Sequence, residues 1–200
     1  MSKIPSTVYA EMTPNPKTMK FVANRLMVKG GGTVEFFSKA EARGHSALAD
    51  DLFNFPFIES LFFTKNFVTV TQNGAADWDM VNMQLREFIR DFLQSTEFAV
   101  ESIPAPKENG TASESKNQAP VEPSELDEPI KKLLDEYVRP AVEGDGGAID
   151  FKSYKDGVVT VILKGACSGC PSSTATLKGG IEQLLKSKLP SVTEVVAEEL

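Results

Sequence analysis

Apolar residues recur along this chain at two periods, and the switches between them mark its elements. Residues 67–72 alternate, with Phe67, Thr69 and Thr71 on one side and Val68 and Val70 on the other, which predicts a strand in a sheet with unequal faces. Residues 58–63 predict its neighbour, with Thr64-Lys65-Asn66 between them at hairpin spacing. Upstream, residues 20–27 and 33–37 predict two more strands around Lys29-Gly30-Gly31-Gly32, whose glycines suit a turn of positive φ. A short helix is expected over 45–53. Past the hairpin the period lengthens. Val81, Leu85, Phe88, Ile89 and Phe92 recur at helical spacing behind Asp77, a favourable N-cap, so a helix is expected over 77–93.

A second patterned region begins near Ser124. Ile130, Leu133, Leu134, Tyr137, Val138 and Ala141 form a helical stripe that Ser124 and Asp127 can cap and that Pro140 should kink or end. Asp145-Gly146-Gly147 predicts the exit turn. Strands follow over 148–154 and 158–163, joined through Asp156-Gly157, a strong hairpin signal. Pro171 then opens a helix with Leu177, Ile181, Leu184 and Leu185 inward, Pro190 ends it, and 192–197 is a last strand. The order is α-β-β-α-β. Between the two regions, residues 101–123 hold four prolines and almost nothing apolar, a composition that cannot offset its own ordering entropy. The expectation is two small α+β domains, 1–100 and 124–200, that tumble semi-independently on a flexible linker, 101–123.

Composition narrows the function classes. With 41% hydrophobic residues the chain can bury cores, and a net charge of −7 without any basic, aromatic-interleaved run argues against nucleic acid as a partner. The N-terminus has neither an apolar signal core nor an Arg-rich transit character, and no apolar run reaches membrane-span length. A soluble cytoplasmic protein without a membrane partner is expected; a processed organellar form would read the same. No Ser/His/Asp or paired-carboxylate constellation stands out, so enzymatic turnover is not expected.

The chemistry gathers at Cys167 and Cys170, the only cysteines, in the stretch GACSGCPSS between a strand and a helix start. In a reducing compartment such a pair points to metal or redox chemistry rather than to a structural staple. Iron–sulfur clusters and structural zinc take four ligands and suit soft thiolates. The one histidine, His45, lies in the other domain. Two copies of the pair about a two-fold axis would complete a site, as could glutathione or another small thiol, and Gly165, Ala166, Ser168 and Gly169 are small enough to let a second subunit approach. The helix start would favour the negative charge of thiolates or of a cluster. A dithiol redox pair is the competing reading, although only one helix and one strand follow Cys170, too little for a thioredoxin-like domain. Zinc bridging a dimer is a further alternative. A disulfide closing so short a loop would gain little.

The stretch LLDEYVRPAVEGDGGAIDF…DGVVTVILKGACSGCPSSTATLKGGIEQLL resembles the C-terminal NifU-like domain of Nfu-type iron–sulfur proteins. TPNPKTMKF and FFTKNFVTVTQNGAADWD resemble the Nfu N-terminal domain, so the likeness spans both domains. One departure is Ala148, where the family often has Asp. The resemblance implies a carrier or late scaffold that takes an iron–sulfur cluster from an upstream assembly scaffold and delivers it to recipient apo-proteins. It implies a [4Fe–4S] cluster, with [2Fe–2S] as an alternative, held between two subunits of a homodimer by Cys167 and Cys170 alone. The N-terminal domain would then choose or contact partners.

Other residues carry weaker expectations. Asp145-Gly146-Gly147 is better explained by a turn than by a role at the cysteines. Gly179-Gly180 inside a helix suggests close packing against the sheet or a second subunit. Lys164 and Lys178 flank the cysteine region and are expected to be solvated. Phe53, Phe55, Phe57, Phe62 and Phe63 are expected in the core, with any exposed remainder suited to docking. Trp78 is expected to pack at the first turn of its helix, and sequence identifies no partner for His45.

Overall fold

The computed structural model describes residues 4–104, 124–168 and 171–199, so most of the expected linker and Cys170 lie outside the described residues. The chain is α+β, in two domains. The first domain is built on an antiparallel five-stranded sheet of order β1-β2-β5-β4-β3, comprising β1 (Val8–Met12), β2 (Thr18–Ala23), β3 (Thr33–Phe36), β4 (Ile58–Thr64) and β5 (Phe67–Gln72). Alternation sorts its side chains cleanly. Met19, Phe21, Leu61, Phe63, Val68 and Val70 face a core closed by α2 (Ala47–Leu52) and α3 (Trp78–Ser95). Ser46 caps α2 by accepting from the Ala49 N–H, and Asp77 caps α3 by accepting from the Asp79 N–H. The short α1 (Lys39–Ala42), capped by Ser38, precedes them.

The second domain opens with a helical run of α4 (Asp127–Leu133), a π-helical segment (Leu134–Val138) and α5 (Arg139–Gly144). Pro140 has no N–H to give, and its ring would collide with the carbonyl one turn earlier; widening that turn relieves the conflict without ending the run. The hairpin β6 (Gly147–Lys155) and β7 (Val158–Gly165) turns at Asp156 and Gly157, both at positive φ. Then α6 (Pro171–Lys188) crosses over to β8 (Glu194–Glu199), which pairs parallel to β7. Ile130, Leu134, Val142, Val159, Val161, Leu163, Ile181, Leu185 and Val195 form the core between helices and sheet.

The domains do not stand apart as expected for semi-independent bodies. The face of the five-stranded sheet opposite its helices packs on the second domain, where Val22, Phe62, Phe67 and Ala148 form a separate buried cluster. Without that cover, three apolar side chains would face water on an open sheet.

Candidate functional site at the cysteine turn

Cys167 lies in the turn that leaves β7. Gly165, at φ +65°, takes the chain off the strand, and the Ser168 N–H and hydroxyl both donate to its carbonyl, at 3.1 and 2.9 Å. From the first turns of α6, the Thr174 hydroxyl donates to the Cys167 carbonyl at 3.2 Å. A second turn, Asp145-Gly146, lies alongside, bound by the Ala166 N–H donating to the Gly146 carbonyl at 3.2 Å.

The sulfur points inward. Cys167 is a free thiol, 6% exposed, within the second domain's core. Gly147 makes room for it, since a Cβ there would stand 2.7 Å from Cys167 Sγ and 2.7 Å from the Lys164 carbonyl. The Asp-Gly-Gly stretch is therefore more than a turn: Gly146 supplies the positive φ, while Gly147 supplies the space beneath the sulfur. Burial, with the nearby Asp145 carboxylate adding to it, pushes the Cys167 thiol up to about 11. At neutral pH the Cys167 thiol is thus protonated. A cavity of about 40 Å³ adjoins it, lined by Pro14, Asp145, Ala166, Cys167 and Leu177. Pro14 belongs to the first domain. Of the turn's small residues, Gly165 and Ala166 are buried and Ser168 half-buried, while Gly169 lies outside the described residues.

The first domain holds both turns through one row of side chains. Strand register pairs Glu11 with Lys20, Lys20 with Thr69, Thr69 with Phe62, and Phe62 with Glu35. Each of the five strands thus gives one residue to a line across the outer face. Glu35 accepts from the Gly165 N–H at 3.3 Å, and the Phe62 ring lies so close to Gly165 that a Cβ there would meet it at 2.7 Å. The Thr69 hydroxyl donates to the Gly146 carbonyl at 2.6 Å. Lys20, paired with Glu11 at 3.0 Å, donates to the Gly144 carbonyl at 3.2 Å. Beside the row, the buried Asn15 amide donates to the carbonyls of Ala166 and Ser168 at 3.2 and 3.4 Å. Lys65 and Glu143 close the edge with an ion pair at 2.8 Å. Loss of water pushes the Glu35 carboxyl up to about 7, against the opposing pull of the Gly165 N–H and the Lys164 charge.

Sequence reasoning brought Cys167 to this place but missed Asn15, Glu35 and Thr69. The available signal was the polar and aromatic side of the alternating strand at Phe67, Thr69 and Thr71. Of the phenylalanines, Phe57 and Phe63 are core, Phe53 and Phe55 pack half-buried against it, and Phe62 serves the domain contact. Lys164 is bound to Asp150 at 2.8 Å rather than free in solvent, and Lys178 stands 3.8 Å from Glu194. Trp78 donates to the Pro16 carbonyl at 3.1 Å, and His45 Nδ1 lies 2.8 Å from Ser102 Oγ, at the start of the expected linker. Gly179 and Gly180 are exposed, with nothing within 4 Å of an added Cβ, so they do not pack against the sheet. Among the described residues, no three His, Cys, Asp or Glu gather to hold a metal ion.

Comparison with known proteins matches both domains. Residues 130–196 fit the family model "NifU-like domain", and residues 8–96 fit "Scaffold protein Nfu/NifU N terminal". Across 98% of this chain there is 36% identity to "NFU1 iron-sulfur cluster scaffold homolog, mitochondrial" of Drosophila willistoni, and the chain spans 64% of that relative's length. The Homo sapiens protein of the same name is 34% identical over 94% of this chain and 70% of its own. Likeness to the solution NMR structure of a NifU-like protein from Saccharomyces cerevisiae is slight, with 21% identity and a TM-score of 0.43 over 46% of this chain and 82% of that one.

Proposed function

The chain belongs to the Nfu family of iron–sulfur cluster scaffolds, and from that premise we propose that it carries a labile [4Fe–4S] cluster between two subunits and hands it to apo-proteins. One observation carries the reading. The chain has two cysteines and no more, three positions apart, entering the helix that follows β7. Four protein thiolates therefore require two chains, which on this proposal makes loading and dimerisation one event. The proposed ligands are Cys167 and Cys170.

The chemistry of the turn suits a cargo rather than a permanent cofactor. A soft sulfur donor is present, yet Cys167 must lose a proton that its surroundings hold and must move out of the core to ligate. Those costs are returned when the cluster leaves. Recipients are then apo iron–sulfur proteins, and the supplier is an upstream assembly scaffold. No helix of the described residues is long and apolar enough to cross a membrane. We assign the chain to a reducing compartment, the cytoplasm on the sequence reading; the named relatives are mitochondrial, and the thiol chemistry is the same in both. The domain limits proposed from sequence, 1–100 and 124–200, enclose both family matches.

Cys167→Ser and Cys170→Ser test the ligand assignment. After anaerobic reconstitution each variant should keep native far-ultraviolet circular dichroism and lose stable cluster absorption and iron. A single variant that retains a full cluster removes its residue from the ligand set.

A further inference from the structure

We propose that the first domain is a detachable cap on the cysteine turn, seated in cis through the row Glu35–Phe62–Thr69–Lys20, and that the turn opens only when this cap lifts. The contacts select the turn and not merely the neighbouring domain. Glu35, Phe62 and Asn15 meet residues 165, 166 and 168, which bracket Cys167 on both sides. Thr69 and Lys20 meet residues 146 and 144, the adjoining turn whose next residue, Gly147, lies against the sulfur. All four hydrogen-bonding side chains bind backbone groups, so what they fix is main-chain conformation.

The row is also built for this occupant. Thr69 is fully buried, Phe62 is 1% exposed and Lys20 8%, although all three point away from the first domain's own core. Phe67 packs beside Phe62 and Lys20 within the same face, and the second domain lies over the row. The fit extends to the glycines, because any side chain at 165 would strike the Phe62 ring and any at 146 would meet Thr69 and Thr13. On this proposal a second cysteine turn reaches this one to share a cluster once the cap has lifted. This consequence for loading rests on the shared-cluster reading. The cap itself does not, since it is a property of the chain without iron.

Alkylation of Cys167 by iodoacetamide, followed by peptide mass spectrometry on the metal-free two-domain chain, reads release of the thiol from its buried seat, which on this proposal follows lifting of the cap. Phe62→Ala removes the ring from Gly165 without touching the first domain's core, and should raise the alkylation rate about fivefold or more. Lys65→Glu places like charges at the edge contact with Glu143 and should raise the rate more modestly. Adding Glu143→Lys to Lys65→Glu restores opposite charges and should return the rate toward that of the unmodified chain, which mere misfolding would not do. Unchanged rates in both single variants, or no rescue in the charge swap, overturn the cap. So does a rate that falls as protein concentration rises, because the cover would then come from a second copy. None of these readouts involves iron, so the cap can fail while the cluster reading stands, and the reverse.

Discussion

Glu35 sits at the Gly165 N–H with its carboxyl pushed up to about 7 from an ordinary 4.5. A carboxyl raised in the docked form and ordinary in the open form keeps a proton there that the open form has lost. Docking is therefore favoured below about pH 4.5 and weakens as pH rises through 7, after which the penalty is constant. The radius of gyration of the metal-free chain, followed by small-angle scattering across this window, should grow with pH, and Glu35→Gln should flatten the dependence. Gly147→Ala acts on the sulfur instead. Its Cβ would collide with Cys167 Sγ and the Lys164 carbonyl, so it should cost about 1–3 kcal/mol of stability, read from the urea midpoint. At this scale the sequence disclosed chemistry but not surroundings. The two thiols were legible because cysteine is scarce and its spacing meaningful, whereas Glu35 and Asn15 look like any polar surface residue until the second domain is laid over them.

The elements were legible where one period runs long enough to dominate. The β4–β5 hairpin, α3 and α6 follow directly from alternation, a 3.6-residue stripe, a cap and a proline. By contrast, β1 was missed because it is a short edge strand with no fully buried side chain, and α1 because a single turn has no period to detect. Pro140 was expected to kink or stop its helix; a preceding wide turn absorbs the conflict, which no periodicity signals. The glycine pair in α6 suggests a close contact with the sheet or a second subunit; within this chain the pair is open. Gly179→Ala and Gly180→Ala should therefore each stabilise the metal-free chain by about 1 kcal/mol, measured by denaturant unfolding. A loss of stability on either substitution would mean that a second subunit already packs there.

For the whole molecule, a linker composition that promised freedom coexists with a built contact between the domains. Composition speaks for residues 101–123 alone. Whether two domains dock is decided by the faces they present, and half of this face, Val22, Phe62 and Phe67, was hidden among residues that any sheet would carry. Capping and carrying are compatible functions. A buried, neutral thiol resists adventitious metal and oxidation, and under the proposed function a site completed by a second chain would release its cargo when the pair separates. Under the proposed function one cluster belongs to two chains. Native mass spectrometry of the anaerobically reconstituted two-domain chain is the decisive measurement. A shared site requires a dimer whose excess mass equals one [4Fe–4S] cluster, alongside metal-free monomer; a monomer retaining a complete cluster, or a colourless dimer bridged by zinc, would contradict it.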